Sequence, residues 1–316
     1  MCVASLPYTL TIKIMKFDLK YTSDSLDDNK LSPDDHTSED AEVTDSSGDA
    51  KSLEAAEIHP SAVVSPSAEL GHDVQIGPYC VIGPDVTLAD NVKLHSHVVV
   101  DGVTTIGTGT EIFPFASIGS PTQDKKFKGG RPELLIGENN IIREHVTMNP
   151  STEPDGKTLV GDNGLFMVGS HIAHDCIIGN NVIMANNATL GGHVEVGDFV
   201  VIGGLAAVHQ FIRLGRGAII GGMSGVENDV IPFGRVKGDR AYLAGLNFIG
   251  LERSGISKNR IKVLQKAFNQ LFADGQTVDQ RINDVAEAFG DDELVSTIID
   301  FARNKNKFAL CRPKKT

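Results

Sequence analysis

Residues 172–208 read IAHDCIIGNNVIMANNATLGGHVEVGDFVVIGGLAAV, with an aliphatic residue at every sixth position: Ile172, Ile178, Met184, Leu190, Val196, Ile202 and Val208. Towards the C-terminus the phase continues through Leu214, Ile220 and Val226. Towards the N-terminus it reappears at Val160, Met148, Ile142 and Ile136, and again from Ile118 back through Ile112, Ile106, Val100, Leu94, Leu88, Ile82, Ile76, Leu70 and Val64 to Ile58. A period of six fits neither the 3.6 residues of a helix nor the two of a simple strand. It suits short parallel strands joined by tight turns, wound into an all-β solenoid. Each aliphatic residue then points inward onto the one a coil above, while Gly and Asn in IGNN, VGDF and LGRG are expected to permit the corner backbone.

Two stretches break the phase, SPTQDKKFKGGRPELL at 120–135 and PSTEPDGKTL at 150–159. A long loop in a regular solenoid is either functional or a tolerated insertion. The first gathers Gln123, Asp124, Lys125, Lys126 and Lys128, which favours function; the second stays open.

After Pro232 the pattern turns helical. Ser257 is placed to cap a helix carrying Ile261, Leu264, Phe268 and Leu271, with Gly275 just beyond it. TVDQ at 277–280 is a capping-box signature for a second helix reaching about Gly290, and a third holds Leu294, Ile298 and Phe301. The expected organisation is therefore an N-terminal extension over 1–57, a hexapeptide-repeat domain over 58–231 and a small helical domain over 232–316 with a basic, solvated tail.

The formal net charge of −12 belongs mostly to the extension. Residues 18–57 hold 13 acidic residues against 3 lysines, whereas the remaining 28 acidic and 26 basic residues nearly balance. Such a polar, acidic segment cannot repay its own ordering entropy and is expected to be disordered. Nothing resembles the basic stripe that nucleic acid requires. Cysteines at 2, 80, 176 and 311 have no metal or disulfide spacing and read as reduced thiols of a cytoplasmic protein. No apolar run is long enough for a membrane span. In MCVASLPYTLTIKIMKF the lysines follow the apolar stretch, opposite to a secretory signal, and Met15 is an alternative start.

Four of the ten histidines fall within 171–209. If three hexapeptides make one coil, the coils run 172–189, 190–207 and 208–225, and His174 is third, His193 fourth and His209 second in its coil, all near one corner. Strands lie about 4.8 Å apart, so the three imidazoles are expected to form a column, with His171 just ahead of it. His174 has Asp175 as its neighbour, and a positioned carboxylate can fix an imidazole tautomer for general-base work. The Gly191-Gly192 pair one coil on can present a backbone N–H as an oxyanion donor. Three histidines could alternatively hold Zn²⁺ with an open position. A Cys176 nucleophile is the weaker option, because its place in the repeat suits an inward-packed small residue.

The motifs GSPTQDKKFKGG, HIAHDC, NNATLGGH, AVHQF and IIGGMSGV, in this order on a hexapeptide array with C-terminal helices, resemble the UDP-N-acetylglucosamine 3-O-acyltransferases of lipid A biosynthesis, the LpxA family. The resemblance covers about residues 58–305. It implies a left-handed parallel β-helix, a homotrimer with active sites between subunits, and transfer of an (R)-3-hydroxyacyl chain from acyl carrier protein to the 3-hydroxyl of UDP-N-acetylglucosamine without a cofactor or metal. It implies His174 as base, Asp175 as its orienting partner, the Gly192 N–H as oxyanion donor and Lys126 beside the reacting groups. Gln123, Asp124, His171, His193, Gln210, Asn247 and Arg253 resemble sugar-nucleotide contacts, His209 a residue lining the acyl cleft, and Gly222 the position that measures chain length.

Arg240, Ile249 and Ser254 depart from the family, which often has His, an acidic residue and a second basic residue there. Arg213, Arg216, Arg235, Lys237 and Arg240 are candidates for docking the acidic carrier. Rival readings are a hexapeptide acyltransferase with another acceptor, a carbonic-anhydrase-like zinc enzyme and a non-catalytic scaffold.

Overall fold

The computed structural model describes residues 54–314. The N-terminal apolar stretch, nearly all of the acidic segment, Lys315 and Thr316 lie outside the described residues. From Glu57 onward the chain winds as a three-faced parallel β-helix whose strands are mostly two residues long. One face has eleven strands, from Glu57–Ile58 to Tyr242–Leu246; the second has nine, from Val63–Val64 to Gly225–Val226; the third has eight, from Glu69–Leu70 to Arg213–Leu214.

Register follows the six-residue phase directly. Ile172 pairs with Leu190 and Leu190 with Val208 on the second face, Ile178 with Val196 and Val196 with Leu214 on the third, and Met184 with Ile202 and Ile202 with Ile220 on the first. From Ile76 to Val226 every in-phase aliphatic is buried. Ile58, on the first described rung, is 43% exposed. Phe166 supplies the missing rung between Val160 and Ile172 and is fully buried. Burying such a side chain is worth roughly 1.5–3 kcal/mol, so the stacked rungs carry the fold.

The corners divide the work differently from the simple expectation. Left-handed corner positions are taken by Asn91, Asn139, Asn163, Asn181 and Asn187, but also by Tyr79, His97, Phe115, Asp175, His193 and Phe211. The Gly that follows an inward residue serves close approach instead: a Cβ on Gly197 would sit 2.6 Å from the Arg216 amide in the next coil.

The segment after Pro232 is not helical at once. Strands Gly234–Lys237 and Tyr242–Leu246 form an antiparallel hairpin that ends the first face. Because period-two patterning over four or five residues is a weak signal, the sequence concealed it. The helices α1 (Phe248–Arg253), α2 (Lys258–Leu271), α3 (Val278–Phe289) and α4 (Glu293–Arg303) follow. Ser257 caps α2 and the Thr277/Gln280 capping box opens α3, as expected; Asn247 caps α1 and Asp292 caps α4.

The C-terminal segment is docked through its backbone, while most of its side chains, the described lysines included, stay exposed as expected. Ala309 accepts from the Asp229 amide at 3.0 Å, Cys311 donates to the Asp229 carbonyl at 2.7 Å, and Arg312 accepts from Leu243 at 2.9 Å. Asp229 is fully buried and takes the Arg213 guanidinium at 2.9 and 2.7 Å, with Arg213 also lying 4.5 Å over the Phe301 ring. Arg213 is therefore an internal clamp and not free to dock a carrier. Arg240, another candidate, is ion-paired with Glu227 on the surface.

Candidate active site

Both interruptions of the repeat leave the helix at the corner between the second and third faces, 119–132 after Ser117–Ile118 and 149–156 after Thr147–Met148. One coil above, the same corner carries His174 and Asp175. The loops thus fold over the residues that the sequence singled out.

Asp175 is the hub. Its carboxylate accepts from the Ser151 hydroxyl, from the Thr152 hydroxyl at 2.7 Å and amide at 3.2 Å, and from His174 Nδ1 at 2.8 Å. Its own amide donates to Thr158 Oγ1 at 2.8 Å. Burial pulls this carboxyl upward, but the hydrogen bonds from Ser151, His174 and Thr152 outweigh it and hold it below its ordinary range. Asp175 is therefore an anion that can only accept, which places a His174 proton on Nδ1, so that in the neutral ring the lone pair is on Nε2.

His174 is buried, 7% exposed, and its Nε2 faces Asp124 Oδ2 at 3.6 Å. Asp124 is held by its own turn, accepting from the Lys126 amide at 2.8 Å. A Cβ on Gly192 would lie 2.5 Å from His174 Nε2 and closer still to Cε1, so only glycine lets the backbone approach the imidazole here. The Gly192 amide has no backbone or side-chain acceptor among the described residues.

Of the expected imidazole column, two members meet. The His193 ring stands edge-on to His174 at 5.2 Å, with Nε2 3.6 Å from Asp175, and burial lowers its pKa. The third place in that row belongs to Phe211, stacked on His193 at 4.5 Å. His209 lies two residues earlier in its coil and packs instead on Phe308 at 5.4 Å, so it leaves the column. His171 projects from the second face, hydrogen-bonded through Nδ1 to Thr147 at 2.7 Å, and burial, then the nearby His174, lower its pKa.

Asp124, Lys126, Thr152, His193, Gln210 and Phe211 line a hollow of about 260 Å³, with Gln123 exposed at its loop. The remaining expected residues lie elsewhere in the chain. Gly222 sits at the corner between the first and second faces, and Asn247 is tied to Gly217 at the third corner by a 3.0 Å hydrogen bond. Arg253 is exposed at the end of α1. Cys176 points inward, donates to the Gly191 carbonyl at 3.2 Å and has its pKa pushed up to about 12 by burial, which rules it out as the nucleophile. Ser151, Thr152 and Phe211 escaped the sequence reading; the second interruption was the only signal for the first two.

Ligand atoms of His174, Asp175 and His193 lie within 4.8 Å of one another. The set suits a metal poorly, because Asp175 already receives four hydrogen bonds and His174 Nδ1 is committed to it.

A hexapeptide β-helix with an aspartate-held imidazole and a bare glycine amide at one corner defines a hexapeptide-repeat acyltransferase. Residues 67–102 and 157–192 match the bacterial transferase hexapeptide model, and 229–311 match the second domain of UDP-N-acetylglucosamine O-acyltransferase. Among relatives, the chain is 51% identical over 259 residues to the acyl-[acyl-carrier-protein]--UDP-N-acetylglucosamine O-acyltransferase of Caulobacter vibrioides, covering 82% of this chain and 98% of the relative. It is 44% identical to the enzyme of the same name from Sinorhizobium fredii, covering 83% and 98%. Solved structures of the UDP-N-acetylglucosamine acyltransferase from Campylobacter jejuni (38% identity, TM-score 0.76, 82% and 100% covered) and of LpxA from Acinetobacter baumannii (40%, 0.75, 81% and 99%) share its fold. The chain belongs to the acyl-[acyl-carrier-protein]--UDP-N-acetylglucosamine O-acyltransferase family, and its coil is that family's left-handed parallel β-helix.

Proposed function

We propose that His174 is the general base of an acyl transfer from acyl carrier protein to the 3-hydroxyl of UDP-N-acetylglucosamine. The chain is an acyl-[acyl-carrier-protein]--UDP-N-acetylglucosamine O-acyltransferase by family, and the reaction opens lipid A biosynthesis. The observation that carries the base assignment is the 2.8 Å bond from His174 Nδ1 to an aspartate held anionic by Ser151 and Thr152.

Nε2 takes the proton as the sugar oxygen attacks the thioester carbonyl. The Gly192 N–H meets the developing oxyanion. Collapse breaks the C–S bond, and the imidazolium returns the proton to the leaving thiolate, so the base is regenerated and neither cofactor nor metal is called for. Lys126 stands beside the reacting groups, Asp124 receives a sugar hydroxyl near Nε2, and Gln123, His171, His193 and Gln210 hold the sugar nucleotide. His209 lines the acyl cleft, and Gly222 leaves room at its end.

The separation of these residues supports a homotrimer. Gly222 and Asn247 lie at other corners of the prism than His174, and Arg253 ends the helix that Asn247 caps, so one substrate meets both sets only where two copies of the chain adjoin. The corner bearing Gly222 also exposes Tyr79, Phe115, Leu205 and Met223, each more than half exposed, which a neighbouring copy would cover. Among the described residues no helix is long and apolar enough to cross a membrane, and we assign the enzyme to the cytoplasm, where its donor is made.

Product formation from UDP-N-acetylglucosamine and a panel of (R)-3-hydroxyacyl carrier proteins, followed by mass spectrometry, tests the assignment. An O-acylated sugar nucleotide that disappears in His174→Ala supports it; no product from well-folded wild type across the panel refutes the substrate, and full activity of the variant refutes the base. Metal analysis of protein purified without chelator tests the zinc reading, which stoichiometric zinc would favour.

A further inference from the structure

We propose that Lys307, on the C-terminal strap, forms an anion subsite that receives a substrate phosphate beyond the His193–Phe211 stack. The inference rests on the acyl-transfer reading, in which both substrates carry phosphate: the nucleotide's pyrophosphate and the phosphodiester of the carrier's prosthetic arm.

Three observations place this lysine. The strap is fixed by Asn306, whose Nδ2 donates to the Phe211 carbonyl at 2.7 Å and reaches Asp229 Oδ1 at 3.3 Å. The fixing brings the Lys307 ammonium 4.2 Å from the Phe211 ring centroid, while His193 stacks on that ring at 4.5 Å and turns its edge to His174. Phe308, the next residue, packs on His209. One short segment therefore touches two of the four clustered histidines directly or through a single ring.

The charge is also uncommitted. Lys307 is exposed, and no carboxylate lies within ion-pair distance of its Nζ among the described residues, whereas Lys305 on the same strap is paired with Asp279 at 2.9 Å. In the adjoining hollow Lys126 and Lys128 face Asp124 and Glu153, a neutral balance that Lys307 tips positive. With Lys307 Nζ 4.2 Å from the Phe211 ring and that ring 4.5 Å from His193, the ammonium stands one coil beyond His193, a coil advancing about 4.8 Å. The phosphates of both substrates are likewise several bonds away from their reacting atoms.

Steady-state kinetics of Lys307→Glu, Lys307→Arg and the strap control Lys305→Glu test the proposal. Lys307→Glu is expected to raise one substrate KM at least about fivefold, equivalent to roughly 1 kcal/mol, with kcat within twofold; Lys307→Arg restores it and Lys305→Glu changes neither. A rise for UDP-N-acetylglucosamine, with weaker UDP binding by calorimetry, assigns the pyrophosphate. A rise for the donor that persists with acyl-phosphopantetheine and vanishes with acyl-pantetheine assigns the arm. Both KM values within twofold of wild type overturn the subsite, as does a loss that Lys307→Arg leaves unrestored. An inactive wild type sinks the acyl-transfer reading instead.

Discussion

Gly192→Ala isolates the geometry of the base from the rest of the site. The backbone at 192 lies outside the left-handed region, so alanine is tolerated by the chain itself; the obstacle is the imidazole. The new Cβ would fall 2.5 Å from His174 Nε2 and 2.9 Å from Nδ1, whereas nonbonded carbon contacts settle near about 3.5 Å. The ring must retreat by about 1 Å, either lengthening its 2.8 Å bond to Asp175 or turning Nε2 away from the hollow. A misplacement of that size costs about 10²-fold in rate, within the range of about 10² to 10⁴ that a general base contributes. Product formation at saturating substrates should therefore show kcat lower by about two orders of magnitude, with His174→Ala at least as slow. KM values and thermal midpoint should stay close to wild type, because the methyl disturbs a side chain at the hollow and no rung of the core. A variant retaining more than half the wild-type kcat would refute the placement of the imidazole against this amide.

Ser151→Ala and Thr152→Val each remove a donor to Asp175. Since that carboxyl is held below its ordinary range, the stability it lends is present above the unfolded pKa of about 3.9 and is lost as pH falls through the lower folded value. Each variant should be less stable by about 1 kcal/mol near pH 7, with the gap to wild type closing in acid. Denaturant midpoints at pH 7 and pH 3 check this, and a constant gap would contradict it. Asp229→Ala leaves the Arg213 cation buried and unpaired, a change that costs about 3–5 kcal/mol, and should release the strap to proteolysis; an unaltered thermal midpoint would deny the clamp. Cys176→Ala should keep at least half of the activity, and wild type should resist thiol reagents at neutral pH. Rapid inactivation by iodoacetamide would contradict the buried, raised-pKa thiol.

The fold was legible because a single variable, the inward aliphatic every sixth residue, repeats through the core and each repeat is independently checked by its neighbour. The hairpin at 234–246 was not, since nothing repeats there and a few alternating residues carry little information. The histidine pair was legible from coil arithmetic, yet His209 was misplaced, because counting coils fixes height and approximate corner but not which way a side chain turns. A two-residue difference at a corner moved it to Phe308 and gave the stack to Phe211. The donors to Asp175 were hidden for a related reason. Ser151 and Thr152 reach it from 24 and 23 residues away, across a coil that contains an insertion of no fixed shape.

The insertions also explain why chemistry sits at this corner. Ile118 to Ile136 spans eighteen residues and Met148 to Val160 twelve, both multiples of the repeat, so each loop departs and returns without shifting the rungs above it. A loop inserted within a strand would break the ladder; at a corner it leaves the ladder's register untouched. Asp175 exploits the same corner from the other side. Its φ of 60° is one that Asp adopts more readily than most residues, and the turn brings its carboxylate back onto His174 while the loop's hydroxyls meet it from outside. The rigid coil thus sets the imidazole and glycine amide, and the insertions set the charge and hydrogen bonds around them. Substitutions in 120–131 and 150–156 should consequently change turnover far more than unfolding, whereas substitutions of the rungs should do the reverse.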